Sequence, residues 1–220
     1  MTFRIQPLQG ILRPVKYRYQ LKTTEEYKGY KRFIAILFIL SLCTYGISAA
    51  FGIGTETLSK GMNDWTGGEL EARKQLFFVG RLILGLLIPG IFLFLGALYY
   101  WCFSSIEYKK LVIVQMTVFS VYLFEQLVQI PMFVLMDIDA VSNPFSLGVI
   151  AQYLTNKELI IHFLSEITLF QVGMIAMTIY YLRELTELTK KQVISIVIFF
   201  FMILWFLSGL LSYIKISIFF

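Results

Sequence analysis

Five apolar stretches of about 20 residues or more run through the chain, at 33–53, 76–103, 111–136, 159–182 and 193–214. A helix rising 1.5 Å per residue crosses a hydrocarbon layer of roughly 30 Å in about 20 residues. Backbone polar groups in lipid must be satisfied within the segment, and for continuous apolar runs that means helices. The pattern therefore predicts an all-α, polytopic bundle of five transmembrane spans. Composition closes off the soluble alternative. The 220 residues are 58% hydrophobic and 15% charged, whereas soluble domains carry about a quarter charged residues. Too few charges remain to cover a water-facing surface.

Orientation follows from the bases beside the spans. Residues 1–32 hold Arg4, Arg13, Lys16, Arg18, Lys22, Lys28, Lys31 and Arg32 against Glu25 and Glu26. The segments predicted on the same side carry Lys109 and Lys110, then Arg183, Lys190 and Lys191. The opposite side carries Lys60, Arg73 and Lys74, then Lys157, then Lys215. Bases collect on the cytoplasmic side, so the expectation is a multi-pass protein of the cell membrane, N-terminus inside and C-terminus outside. The net charge of +5 is concentrated in the arm that leads into the first span. Anionic lipid explains it better than nucleic acid does. Residues 1–32 read as a basic cytoplasmic arm on the inner membrane face, with Arg13, Lys16, Arg18 and Lys22 toward headgroups. Residues 33–216 read as the membrane domain. The arm has no apolar signal core, so the first span is expected to act as its own insertion signal.

Local features refine the spans. Pro89-Gly90 predicts a kink in the second. Gly80, Gly85, Gly90 and Gly96 suit close helix packing. The turn formers Gly61, Asn63 and Asp64 precede Trp65, which suits a membrane–water interface. Thr155 and Glu158 have capping-box spacing before the fourth span. The loop Asn143-Pro144-Phe145-Ser146-Leu147-Gly148 is too short to cross and apolar enough to lie on or dip into the outer interface.

Charges inside spans are expensive and need a reason. Arg81, Glu125 and Glu166 are such charges, with Gln126, Gln129, His162 and Gln171 nearby in the sequence. Counting residues from the outer ends places Arg81 roughly 8 Å and Glu166 roughly 10 Å deep. Glu125 and Gln129 share a helix face, as do His162 and Glu166. These residues are expected to meet as one polar cluster in the outer half, with Arg81 either paired to Glu166 or snorkelling to the outer interface. Such a cluster either fastens helices together or serves as a proton or substrate site.

Signatures of catalysis are poor. With one His, the chain offers at most His162 and Glu166 to a metal, fewer than an intramembrane metalloprotease needs. There is no Gly-x-Ser-x-Gly turn, no membrane Asp pair and no Walker-type loop. Cys43 and Cys102 read as small apolar side chains in helices. The expectation is a non-enzyme with no cofactor and no metal.

From Pro144 onward the chain is similar to the Yip family, in its bacterial branch. The resemblance rests on Asn143 to Gly148 ahead of a span, on Leu169-Phe170-Gln171, on Lys190-Lys191 before the last span, and on the five-span count. It implies a non-catalytic protein that acts through other integral membrane proteins. In bacterial relatives that means assisting a transport or envelope-stress complex, including toxin-peptide resistance, beside an ABC exporter. The alternative reading is a small secondary transporter or channel-like subunit that uses the Arg/Glu cluster.

Overall fold

The computed structural model describes residues 2–24, 26–55, 66–138 and 140–213. The turn at 61–65, with Trp65, and Lys215 lie outside them. Residues 2–28 do not form a simple peptide arm. They fold into a cap of β1 (Thr2–Arg4), α1 (Pro7–Leu12), α2 (Pro14–Thr23) and β2 (Glu26–Lys28). The strands pair in parallel, Thr2 with Glu26 and Arg4 with Lys28. This small sheet is an exception to the all-α expectation. Pro7 and Pro14 each open a helix, where a missing N–H costs nothing. Pro14 also ends α1, because the residue before a proline avoids the helical region: Arg13 sits at φ −134°, ψ 62°.

The cap is docked on the bundle. Ile5, Tyr17 and Leu21 are buried in the common core. Tyr181 donates from its hydroxyl to the Gly10 carbonyl at 2.8 Å. A Cβ on Gly10 would lie 2.6 Å from the Thr117 methyl group, so only glycine allows this approach. Burial pushes the Tyr17 phenol well above its ordinary range.

Four helical stretches are long and apolar enough to cross a membrane. The first is α3 (Tyr30–Ala50), entered through Gly29 at φ +87°. The second joins α4 (Gly67–Gly90), a π-helical turn (Ile91–Leu95) and α5 (Gly96–Phe103). Its start is a capping box: Thr66 N–H donates to the Glu69 carboxylate at 3.0 Å while the Thr66 side chain accepts from the Glu69 backbone. The kink expected at Pro89-Gly90 takes the form of the π turn, which follows directly. Proline removes one ladder bond and the widened turn absorbs the mismatch. A carbonyl of that turn, Phe94 O, accepts from the Tyr108 hydroxyl at 3.1 Å.

The third long helix, α6 (Tyr108–Met136), is the centre of the molecule. Every residue from Leu111 to Phe119 is buried, because the cap, α5 and the fourth predicted span surround it. Phe92, Phe119 and Tyr122 pack ring against ring, with centroids 5.5–6.2 Å apart. Gly85 lets α4 press on α3, its Cβ position 3.1 Å from the Leu42 Cα. Gly96 likewise lies against Phe200 and Gln115, whereas Gly80 faces open space.

The predicted fourth span is not one helix. After α7 (Gly148–Leu154) come α8 (Glu158–Ser165) and α9 (Leu169–Leu185), separated by Glu166, Ile167 and Thr168. Thr168 caps α9 by accepting from Gln171 N–H at 3.1 Å, which competes with a continuous ladder. The start of α8 is where Thr155 and Glu158 place it, but the cap differs: Thr155 Oγ1 accepts from Lys157 N–H instead. The last long helix is α10 (Lys190–Tyr213). Its start is stapled by Thr189 and Gln192, whose side chains and N–H groups bond reciprocally at 3.0 and 3.5 Å.

Candidate binding chamber

The sequence places Glu125 and Gln129 one turn apart on α6, and the structure buries both. Glu125 is 1% exposed. Its Oε1 accepts from Gln129 Nε2 at 3.1 Å and from the Thr168 hydroxyl. Thr168 is the residue that caps α9, so a carboxylate on the central helix holds the break in its neighbour. The other carboxylate oxygen, Oε2, is buried with no hydrogen-bond partner among the described residues. A buried polar atom without a partner is costly and calls for an explanation.

Glu125 lines a chamber of about 270 Å³. Arg81, Gln126, Gln129, Glu166 and Gln171 line it too, together with Asn143. Tyr45 and Tyr122 share its wall, their hydroxyls 2.7 Å apart. So the chain brings together Arg81, Glu125, Gln129 and Glu166 at one end of the bundle, opposite the cap. His162 is not among the lining residues.

The expected Arg81–Glu166 ion pair does not form. No described carboxylate approaches Arg81 within 4.0 Å. Its guanidinium instead donates to the Ile53 carbonyl at 2.6 Å, past the end of α3, and lies 5.4 Å from the Phe77 ring centre. Gly54, at φ +87°, leaves room for it. The Glu166 carboxylate has the Ser208 hydroxyl of α10 beside it. Arg81 and Glu166 line the same chamber from different walls, one on α4 and the other at the end of α8.

The loop from Asn143 to Gly148 is part of this site rather than a free interfacial segment. Asn143 Oδ1 accepts from Phe145 N–H at 3.0 Å, an Asx turn. Leu147 N–H donates to Ile167 O at 3.0 Å and Leu169 N–H to Phe145 O at 2.9 Å. The loop thus satisfies backbone groups that the break between α8 and α9 leaves open. Pro144 sits at the turn's centre, which its fixed φ suits. Half-exposed Phe145 packs edge-on against Phe170, centroids 5.7 Å apart. This strap was not legible in the sequence. The sequence shows the Asn-Pro turn, but its partner segment around Thr168 lies in an apolar run whose pattern predicts continuous helix.

The four bases singled out in the N-terminal segment divide. Arg18 is committed within the chain, 3.2 Å from Glu184 and 4.7 Å over the Tyr180 ring. Arg13, Lys16 and Lys22 are exposed and line a groove with Leu12, Val15 and Tyr19. Lipid-facing use therefore remains open to these three and not to Arg18. Compared with models of protein families, with curated proteins and with solved structures, the chain shows no significant match to any of them.

Proposed function

We propose that the chain is a five-span protein of the cell membrane, N-terminus inside and C-terminal end outside, whose chamber binds a small cationic or zwitterionic solute as part of a transport role. The observation that carries this reading is the set of charges around the chamber. Two carboxylates and one guanidinium line it, and Arg81 neutralises neither acid. A purely structural cluster would be expected to pair its buried charges, since an unpaired one is strongly destabilising. A solute carrying an ammonium group or a metal-like monocation would supply the missing partner. The fifth span in this reading is the broken pair α8–α9. Interrupted helices with irregular backbone facing a cavity are a feature of membrane transport sites. No catalytic step is required.

The experiment is a thermal-stability screen of the purified chain in detergent against sodium, potassium, methylammonium and glycine. One cationic or zwitterionic member is expected to raise the melting temperature in the wild type and not in a Glu125→Gln/Glu166→Gln double variant. If none of them shifts it, the chamber is a structural network. The resemblance of Asn143 to Gly148 to the Yip family supports a second reading, in which the chain is a non-catalytic partner of an ABC exporter or an envelope-stress complex. Flat responses to all solutes, with specific crosslinks to a transporter in membranes, would favour it.

Orientation is testable separately. A reporter fused before Met1 is expected to stay cytoplasmic and one fused after Phe220 to be exported, from the distribution of bases. Cytoplasmic signals from both would mean that α8–α9 does not cross.

A further inference from the structure

We propose that the cap end of the bundle carries a binding site for the phosphate headgroup of an anionic lipid, formed by Lys28, Lys31, Arg32 and Lys109. These four bases come from three separate elements: β2 supplies Lys28, α3 supplies Lys31 and Arg32, and α6 supplies Lys109. They converge on one cavity of about 670 Å³, whose only other charged lining residue among those described is Glu26. None of the four has a described carboxylate within 4.0 Å. Two described bases elsewhere do pair, Arg18 with Glu184 and Lys74 with Glu71. Gathering four exposed cations with one acid costs electrostatic energy that a bound anion offsets.

The surroundings fit a phosphate monoanion or diester. Neither α3 nor α6 has a side-chain cap at its start, at Gly29 and Glu107, so both helices present open N–H groups beside the bases. The level and the neighbours fit a lipid rather than a soluble phosphate. The cavity lies where two membrane-long helices begin, and half-buried Tyr27 and Tyr30 line it, as aromatic residues do at the headgroup layer. Below it along α3, Ile36, Ile39 and Leu40 are exposed and offer an acyl chain an apolar track. Because Lys28 belongs to the cap and the other three bases to the bundle, one headgroup would tie the cap down. The site is remote from the chamber, and it rests on the functional reading above only in taking the helices to lie in lipid.

The test uses the full chain in an uncharged detergent, titrated in parallel with phosphatidylglycerol, phosphatidylcholine or inorganic phosphate. Bound lipid is counted by native mass spectrometry and the melting temperature followed in the same samples. Phosphatidylglycerol is expected to be retained and to raise the melting temperature, and phosphatidylcholine is not. Each base beside an anion is worth about a fivefold factor in affinity, so Lys31→Gln/Arg32→Gln/Lys109→Gln should weaken retention by roughly a hundredfold. The three positions are exposed, and an unchanged lipid-free melting temperature verifies that the variant is folded. Should it prove unfolded, Lys109→Gln alone, expected to weaken retention about fivefold, carries the test. Arg13→Gln/Lys16→Gln/Lys22→Gln, in the other basic groove, should bind as the wild type does. Equal retention of both lipids, an unaffected triple variant, or saturation by inorganic phosphate at the same site would each overturn the proposal. The solute screen of the chamber is read independently, so failure of one leaves the other standing.

Discussion

Replacing Gly148 by alanine is expected to lower the stability of the chain by about 3 kcal/mol, the upper part of the range for forcing atoms into a packed site. A Cβ there would lie 2.6 Å from the Val141 carbonyl oxygen and 2.7 and 2.9 Å from the Ser165 Cβ and Cα. Two of these three atoms are backbone and cannot swing aside as the end of a long side chain would. Relief would require moving α7 away from the last turn of α8, and with it the strap that closes the break at Glu166–Thr168. The damage should therefore spread to the chamber wall. Gly80→Ala is the matched control. Its Cβ would meet nothing within 4 Å, and alanine in a helix interior is favoured over glycine by roughly 1 kcal/mol. Thermal unfolding in detergent measures both. If the two variants melt together, the strap does not hold the break.

Glu125→Leu is expected to cost about 2–4 kcal/mol, because it takes the acceptor from two buried donors, Gln129 Nε2 and the Thr168 hydroxyl, at roughly 1–2 kcal/mol each. Glu125→Gln keeps a carbonyl oxygen in place of Oε1 and almost the same volume, so its loss should be under about 1 kcal/mol. The comparison separates two roles of one side chain. As a hydrogen-bond acceptor it maintains the cap of α9, which glutamine can do. As a carboxylate it supplies charge to the chamber, which glutamine cannot. Stability retained in Glu125→Gln together with a lost solute response is the expected combination. Equal destabilisation by both substitutions would assign the residue to structure through its charge, and the chamber would lose its main anionic wall.

Arg81 shows where reasoning by residue type goes astray. An arginine inside an apolar run with glutamates at matching residue counts invites an ion pair, yet the half-buried guanidinium donates to the Ile53 carbonyl. Past the end of α3 the chain turns through Gly52 and Gly54, both at positive φ, and the Ile53 carbonyl between them meets Arg81 on α4. That acceptor is a backbone atom and has no signature in the amino-acid letters. The same blindness hid the strap at Asn143–Gly148, whose decisive bonds also run from backbone to backbone.

Hydrophobic length and charge placement in the amino-acid sequence were enough to determine a helical bundle with helices of membrane-crossing length, the bend after Pro89 and the start of the helix at Glu158. These follow from local physics: apolar run length, proline's missing donor, turn chemistry. That Glu125 and Gln129 share one face of a helix was also readable, since residues four apart lie on the same side. The start of α10 could have been read as well, because Thr189 and Gln192 have capping-box spacing. What only the tertiary structure decided is how these parts face one another. The apolar run 159–182 looks continuous, but a glutamate on α6 and a loop some 20 residues upstream stabilise its interruption better than a helical ladder would. Residues 1–32 look like a basic arm lying on the inner membrane face, yet Gly10, Tyr17 and Leu21 find complementary surfaces on helices that lie beyond residue 100. Burial against a distant segment outweighs local propensity whenever that segment offers shape and hydrogen-bond partners, and no one-dimensional pattern records that it does.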